Sequence, residues 1–141
     1  MAAEGALNSG AGLVTVATDR VNIAALHTRD PEIMTLNWDE SIELKNLIKN
    51  SDVVVCGMGL GLDDKAQQIL RLVRDNITLK QTLILDASAL DLIGQQNDLL
   101  PLNSKILIFT PHQMEWERLS GIKISDQSDE LNQVALDKLV K

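Results

Sequence analysis

An α/β fold with a mostly parallel sheet and helices on both faces is predicted for this 141-residue chain by two observations. The first is an alternation of five short apolar runs with segments of helical spacing, the signature of successive βαβ units. The second is a set of three turns, each closing an apolar run. They are Gly57-Met58-Gly59-Leu60-Gly61 after residues 53–56, Asp86-Ala87 after 82–85, and Thr110-Pro111-His112-Gln113-Met114-Glu115 after 106–109. In a parallel sheet all strands point the same way, so these turns would gather at one carboxyl edge. That edge is where open α/β sheets bind their ligands.

Residues 1–7 have helical composition and stop at Asn8-Ser9-Gly10, a C-terminal signal with glycine past the last turn. Residues 12–18 read as the first strand, with Leu13, Val14 and Val16 beside β-branched threonines. Pro31-Glu32 opens a second strand at 33–36. A helix from Asp39 to Asn50 carries Ile42, Leu44, Leu47 and Ile48 close to one face. The valines of strand 52–56 suggest burial on both sides. Asp63 or Asp64 can cap a helix whose stripe is Ile69, Leu70, Leu72 and Val73. Strand 81–85, a short helix at 88–93, strand 105–109 and a helix at 112–119 ended by Gly121 follow. Residues 128–141 form a last amphipathic segment with Leu131, Val134, Ala135, Leu139 and Val140 as apolar positions.

The bulk properties narrow the function classes. The length suits one domain, residues 1–141, able to bury roughly 68% of its unfolded surface. A net charge of -7 without a Lys/Arg stripe argues against nucleic acid as partner, and two Trp, one Phe and no Tyr provide no stacking platform. Trp38 and Trp116 read as packing residues. The single cysteine, Cys56, excludes an internal disulfide and a multi-cysteine zinc site, and its apolar neighbours make it a core residue. No run approaches the ~18 apolar residues of a membrane span, and no secretory signal pattern opens the chain, so a cytoplasmic protein is expected.

Each turn has a functional and a plain structural reading. Three glycines at alternate positions leave backbone N–H groups open to a ligand, or they simply permit a tight strand-to-helix turn. Asp86 can act as a base, hold a hydroxyl, reach a metal through water, or cap the helix from Ser88. His112 and Glu115 share a helical face, where the imidazole can exchange a proton near neutral pH. Alternatively, Glu115 is the third helical residue and bonds back to the backbone. His27 reads as a solvated loop residue.

These residues together resemble the carbohydrate-kinase-like domain of the ADP- or ATP-dependent NAD(P)H-hydrate dehydratases, in the ribokinase-like superfamily. The family's Gly-Ala-Gly-Leu-Val-Thr-Val strand is matched by Gly10-Ala11-Gly12-Leu13-Val14-Thr15-Val16, and its Pro-Glu-hydrophobic-Met by Pro31-Glu32-Ile33-Met34. Its Gly-Pro-Gly-Leu-Gly turn appears as Gly57-Met58-Gly59-Leu60-Gly61, and its Leu-Asp-Ala-x-Ala-Leu as Leu85-Asp86-Ala87-Ser88-Ala89-Leu90. Thr-Pro-His-Pro-Gly-Glu-x-x-Arg-Leu is matched by Thr110-Pro111-His112-Gln113-Met114-Glu115-Trp116-Glu117-Arg118-Leu119. Met58 replaces a proline, and Gln113-Met114 replaces Pro-Gly. The family's Gly-Thr-Gly-Asp motif, its lysine-containing nucleotide segment and its alanine-bearing first loop have no match, so the chain resembles the middle of the domain.

The resemblance implies a three-layer αβα, ribokinase-like fold, incomplete at both ends, and a lyase activity in metabolite repair. An adenine nucleotide phosphorylates the hydroxyl of hydrated NADH or NADPH, and loss of phosphate restores the cofactor. It implies Gly57, Gly59 and Gly61 at the dinucleotide, His112 at the hydrated ring, and Asp86 and Glu115 around phosphate or a water-bound Mg²⁺. No catalytic residue is assigned within these 141 residues. ADP or ATP and Mg²⁺ are the implied cofactors; NAD(P)H hydrate, the nucleotide and a second copy in a homo-oligomer are the implied partners. A ribokinase-like kinase of a small alcohol or vitamin is the competing enzyme reading, although such relatives carry Asn where His112 stands. A non-catalytic fragment is the third reading.

Overall fold

The structure is a computed structural model that describes residues 2–101 and 103–140. It divides into two compact units, one up to Leu47 and one from Ile48 onward. The expected helix start at Met1 and the end of the last segment at Lys141 lie outside the described residues.

The first unit contains α1 (Ala2–Asn8), β1 (Thr15–Thr18), α2 (Arg20–Arg29), β2 (Met34–Asn37) and the first turns of α3 (Ser41–Asn50). β1 and β2 pair in parallel, with Thr15 opposite Met34 and Thr18 opposite Asn37. Ile33 and Leu44 are its buried residues. Leu13, expected in the first strand, lies before it and is 83% exposed. Ile42 is likewise exposed and leaves the buried face of α3 to Leu44 and Ile48.

α2 has no counterpart in the sequence reading, because its apolar residues do not fall on one face and none of its residues is buried. Asp19 starts it, its carboxylate accepting from the Val21 N–H at 3.0 Å. His27 therefore sits on a helix rather than in a loop, with its Nε2 2.9 Å from the Thr35 hydroxyl on β2.

The second unit runs β3 (Val53–Cys56), α4 (Asp64–Asn76), β4 (Thr82–Leu85), α5 (Ser88–Gln95), a 3₁₀ turn (Asn97–Leu99), β5 (Ile106–Phe109), α6 (Gln113–Ser120), a second 3₁₀ turn (Ile124–Asp126) and α7 (Asp129–Leu139). Its three strands form one parallel sheet in the order β3-β4-β5. All five expected strands are present, yet they pair as two separate sheets rather than one. Alternation of strand and helix signals parallel pairing, but it does not say which strands become neighbours.

One face of this sheet carries the core. Cys56, Leu83 and Leu85 are buried there, together with Ala66, Leu70 and Val73 of α4 and Leu90, Leu92 and Ile93 of α5. The valines of β3 alternate instead of being covered on both sides: Val53 and Val55 are half exposed. α5 and α6 pack closely because Gly94 has no side chain. A Cβ there would stand 3.2 Å from the Arg118 carbonyl oxygen. The Asp91–Arg118 ion pair, 2.6 Å, spans the same two helices.

A buried amide secures the start of β4. Gln81 Oε1 accepts from the Thr78 N–H at 2.9 Å and its hydroxyl at 3.0 Å. Its Nε2 donates to the carbonyls of Ile48 and Ser51. Every polar atom of this side chain is thereby paired, as burial of an amide demands.

Candidate functional site

The ladder register decides what meets at the sheet edge. Cys56, Leu85 and Phe109 are direct neighbours across β3, β4 and β5. The next residue of each strand, Gly57, Asp86 and Thr110, therefore begins its turn at the same carboxyl edge. Two bonds extend the ladder there: the Asp86 N–H donates to the Cys56 carbonyl at 3.0 Å, and that of Thr110 to Leu85 at 3.1 Å. The Thr110 hydroxyl adds a bond to the same Leu85 oxygen at 3.3 Å.

The glycine turn is a backbone device. Gly57, Gly59 and Gly61 have φ of 126°, 69° and 88°, a region side-chain-bearing residues rarely adopt. At Gly57 space also forbids a side chain, since a Cβ would land on the Asp86 carbonyl and stand 2.9 Å from the Ala89 methyl. Gly59 and Gly61 face open space, so conformation alone accounts for glycine there. The Leu60 N–H closes the turn onto the Gly57 carbonyl at 3.1 Å, and the Leu60 side chain anchors it inside. Asp63 then caps α4, accepting from the Ala66 N–H at 2.9 Å.

Asp86 does not cap α5. Its Oδ1 accepts from the adjoining Ala87 N–H at 2.9 Å, and α5 starts without a side-chain cap. Ala87 itself has φ 46° and ψ −124°, the one non-glycine positive φ among the described residues. Strain of this kind persists only where surrounding structure enforces it, and it concentrates at ligand sites. No sequence signal marks it, because alanine has no preference for that conformation.

His112 and Glu115 form a reciprocal cap on α6. The N–H groups of Met114 and Glu115 donate to His112 Nδ1 at 3.2 and 3.3 Å. The His112 N–H donates back to Glu115 Oε2 at 3.0 Å. Nδ1 is an acceptor, so the ring proton belongs on Nε2, which lies 3.2 Å from Glu115 Oε1. Glu115 is buried, whereas the His112 side chain is 61% exposed. The structural reading of this pair is thus realised, and it leaves the imidazole ring presented at the edge. Trp116 packs as expected, its indole N–H donating to Asn132 at 2.7 Å.

The six predicted residues thus fall on one edge, where Gly57 abuts Asp86 and His112 bonds Glu115. The donor set does not fit a directly bound Mg²⁺. Both Glu115 oxygens are engaged by His112, and among the described residues no three His, Cys, Asp or Glu side chains converge. Also among the described residues, no helix is long and apolar enough to cross a membrane.

Comparison with known proteins adds the family. The profile described as NAD(P)H-hydrate dehydratase matches residues 1–139. An ADP-dependent (S)-NAD(P)H-hydrate dehydratase of Lactiplantibacillus plantarum is 48% identical over 139 residues, 99% of this chain and 49% of the relative. One from Enterococcus faecalis is 46% identical over 99% of this chain and 47% of its own length. A solved ribokinase-like superfamily protein from Enterococcus faecalis superposes with a TM-score of 0.92 at 44% identity, covering 97% of this chain and 48% of that one. A solved hypothetical protein from Streptococcus mutans gives 0.90 at 47% identity, over 97% and 49%. The chain spans about half the length of the curated relatives it matches. Its fold is ribokinase-like, and the chain belongs to the NAD(P)H-hydrate dehydratase family.

Proposed function

We propose that these residues form the hydrate-side wall of an ADP-dependent NAD(P)H-hydrate dehydratase. The observation that carries this reading is the meeting of the three family-matched turns at one carboxyl edge, set by the β3-β4-β5 register. ADP is preferred over ATP because the relatives at 40–48% identity are named ADP-dependent. In that reaction the hydrate hydroxyl takes the terminal phosphoryl group and releases AMP. Phosphate then leaves as a ring proton is lost, which restores the reduced nicotinamide.

In this reading the glycine turn lets the dinucleotide approach backbone at Gly57, Gly59 and Gly61. The exposed ring of His112 contacts the hydrated nicotinamide. Asp86 keeps one carboxylate oxygen beyond its bond to Ala87, available to a phosphate-bound water. Glu115 acts through His112, holding the ring in one tautomer and orientation. Mg²⁺ enters only with the nucleotide, and no step is assigned to it. Phosphoryl transfer depends on positioning and charge stabilisation, so a wall without a donor site catalyses nothing measurable by itself.

The test replaces the matched half of the Enterococcus faecalis relative with residues 1–141 and follows recovery of NADH from its hydrate with ADP. The hybrid should turn over, and the 141-residue chain alone should not. In the hybrid, His112→Ala should weaken hydrate binding more than ADP binding, measured by calorimetry. Equal loss for both ligands, or accumulation of a phosphorylated small alcohol in place of NADH, would refute the assignment.

A further inference from the structure

Ala87 is held in a backbone conformation that alanine does not favour. Its φ of 46° and ψ of −124° lie outside the three regions open to L-residues. Each side of it is anchored separately. On the strand side, the Asp86 N–H continues the ladder to the Cys56 carbonyl at 3.0 Å. The Asp86 carbonyl accepts from the Ala89 N–H at 3.2 Å, and it lies so close to Gly57 that a Cβ there would overlap it. On the helix side, the Ala87 carbonyl accepts from the N–H groups of Leu90 at 2.9 Å and Asp91 at 3.2 Å. Ala89 and Leu90 of that first turn are fully buried. Neither anchor can rotate to relax the residue between them, so Ala87 absorbs the mismatch between strand end and helix start.

The remaining backbone group of this residue, its N–H, donates to Asp86 Oδ1 at 2.9 Å. That bond fixes the rotation of the carboxylate and leaves Oδ2 over. A glycine would occupy the same dihedrals without strain, but it would also reach a wide area around them. The alanine Cβ closes that area, because a side-chain-bearing residue forced to positive φ has little torsional freedom left. We infer that Ala87 is a positioning residue for Asp86. Its Cβ confines the Asp86–Ala87 peptide to one orientation, and the N–H of that peptide holds the carboxylate in one rotamer. The use of this arrangement in turnover rests on the proposed dehydratase reading. The confinement does not, since it follows from the backbone of this chain.

Ala87→Gly and Ala87→Ser are compared in the full 141-residue chain and in the hybrid with the Enterococcus faecalis relative. In the chain alone, glycine should raise the Tm by about 2 °C or more, because relief of strain outweighs the added freedom of the unfolded state. Three-bond NMR couplings about the Asp86 Cα–Cβ bond should report one rotamer with alanine and an average of rotamers with glycine. A Tm lowered by glycine overturns the proposal, as does an Asp86 rotamer that stays single in the glycine variant. In the hybrid, glycine should lower kcat about tenfold or more while the KM for ADP stays nearly constant. Serine keeps the Cβ and should restore the turnover that glycine loses. A gain in stability joined to a loss of turnover is not what a purely structural residue gives. Unchanged kcat with glycine in a hybrid that turns over overturns the proposal, and so does a serine variant as slow as the glycine one. A hybrid without any turnover refutes the dehydratase reading instead, and the Tm and couplings of the chain alone then decide the role of Ala87.

Discussion

Two turns at the same sheet edge achieve order by opposite means. The turn after β3 depends on backbone alone: three positive φ angles and one site, Gly57, where any side chain meets the Asp86 carbonyl. The turn after β5 depends on side chains: His112 and Glu115 satisfy each other's backbone donors and tie the ring to a buried carboxylate. The first is therefore intolerant of added atoms and indifferent to polarity. The second tolerates changes of shape that preserve an acceptor.

Gly57→Ala should break the first turn outright. Strain at positive φ and collision with backbone act together, and a loss of roughly 3 kcal/mol or more is expected in chemical denaturation. Gly59→Ala has the same conformational cost without the collision, so about 1 kcal/mol should be lost. If the two variants cost the same, the close approach of Gly57 to Asp86 is not what constrains this turn.

Glu115→Ala removes a buried acceptor from two donors and should cost about 1–3 kcal/mol. His112→Ala removes only the exposed half of the cap and should cost about 1 kcal/mol, while His112→Asn should restore most of it, asparagine being a strong cap. Thermal unfolding of the three variants checks the order. A stability loss that Asn fails to restore would mean the ring acts through something other than Nδ1.

Cys56 reports on the end of β3 next to the glycine turn. Burial pushes its pKa from 9.0 up to about 12. Above pH 9 the unfolded chain releases this proton while the folded chain holds it. Stability should therefore fall as pH rises from about 9 toward 12, and this group should contribute no slope below that window. Cys56→Ala should remove that part of the alkaline slope, and no tyrosine is present to imitate it. At pH 8 the thiol should resist aromatic disulfide reagents until the protein is unfolded.

Sequence legibility followed the same division. The three strands of the second unit were readable to within a residue because short apolar runs ended at turn residues that cannot continue a strand. α4 and α6 were readable from Asp63, His112, Glu115 and Gly121, whose capping chemistry acts over three or four residues. α2 was not, because it has no buried stripe, and helices without one leave no periodic trace. His27 was misplaced with it. Nor could the valine run of β3 reveal that one of its faces lies open, since hydrophobicity does not say which partner supplies the cover.

By itself the sequence determined the α/β class, the parallel direction of the strands and which residues would stand in the edge turns, because all of these follow from local alternation and turn chemistry. It also carried the family, through motifs that survive in order along the chain. Tertiary structure alone decided that the strands pair as two sheets, that Gly57 lies against Asp86, that Asp86 bonds Ala87 instead of capping α5, and that Ala87 is held at positive φ. The strand pairing and the approach of Gly57 to Asp86 depend on register and on contacts between residues some thirty positions apart. Such contacts are selected by the packing of whole elements, and no window of neighbouring residues contains them.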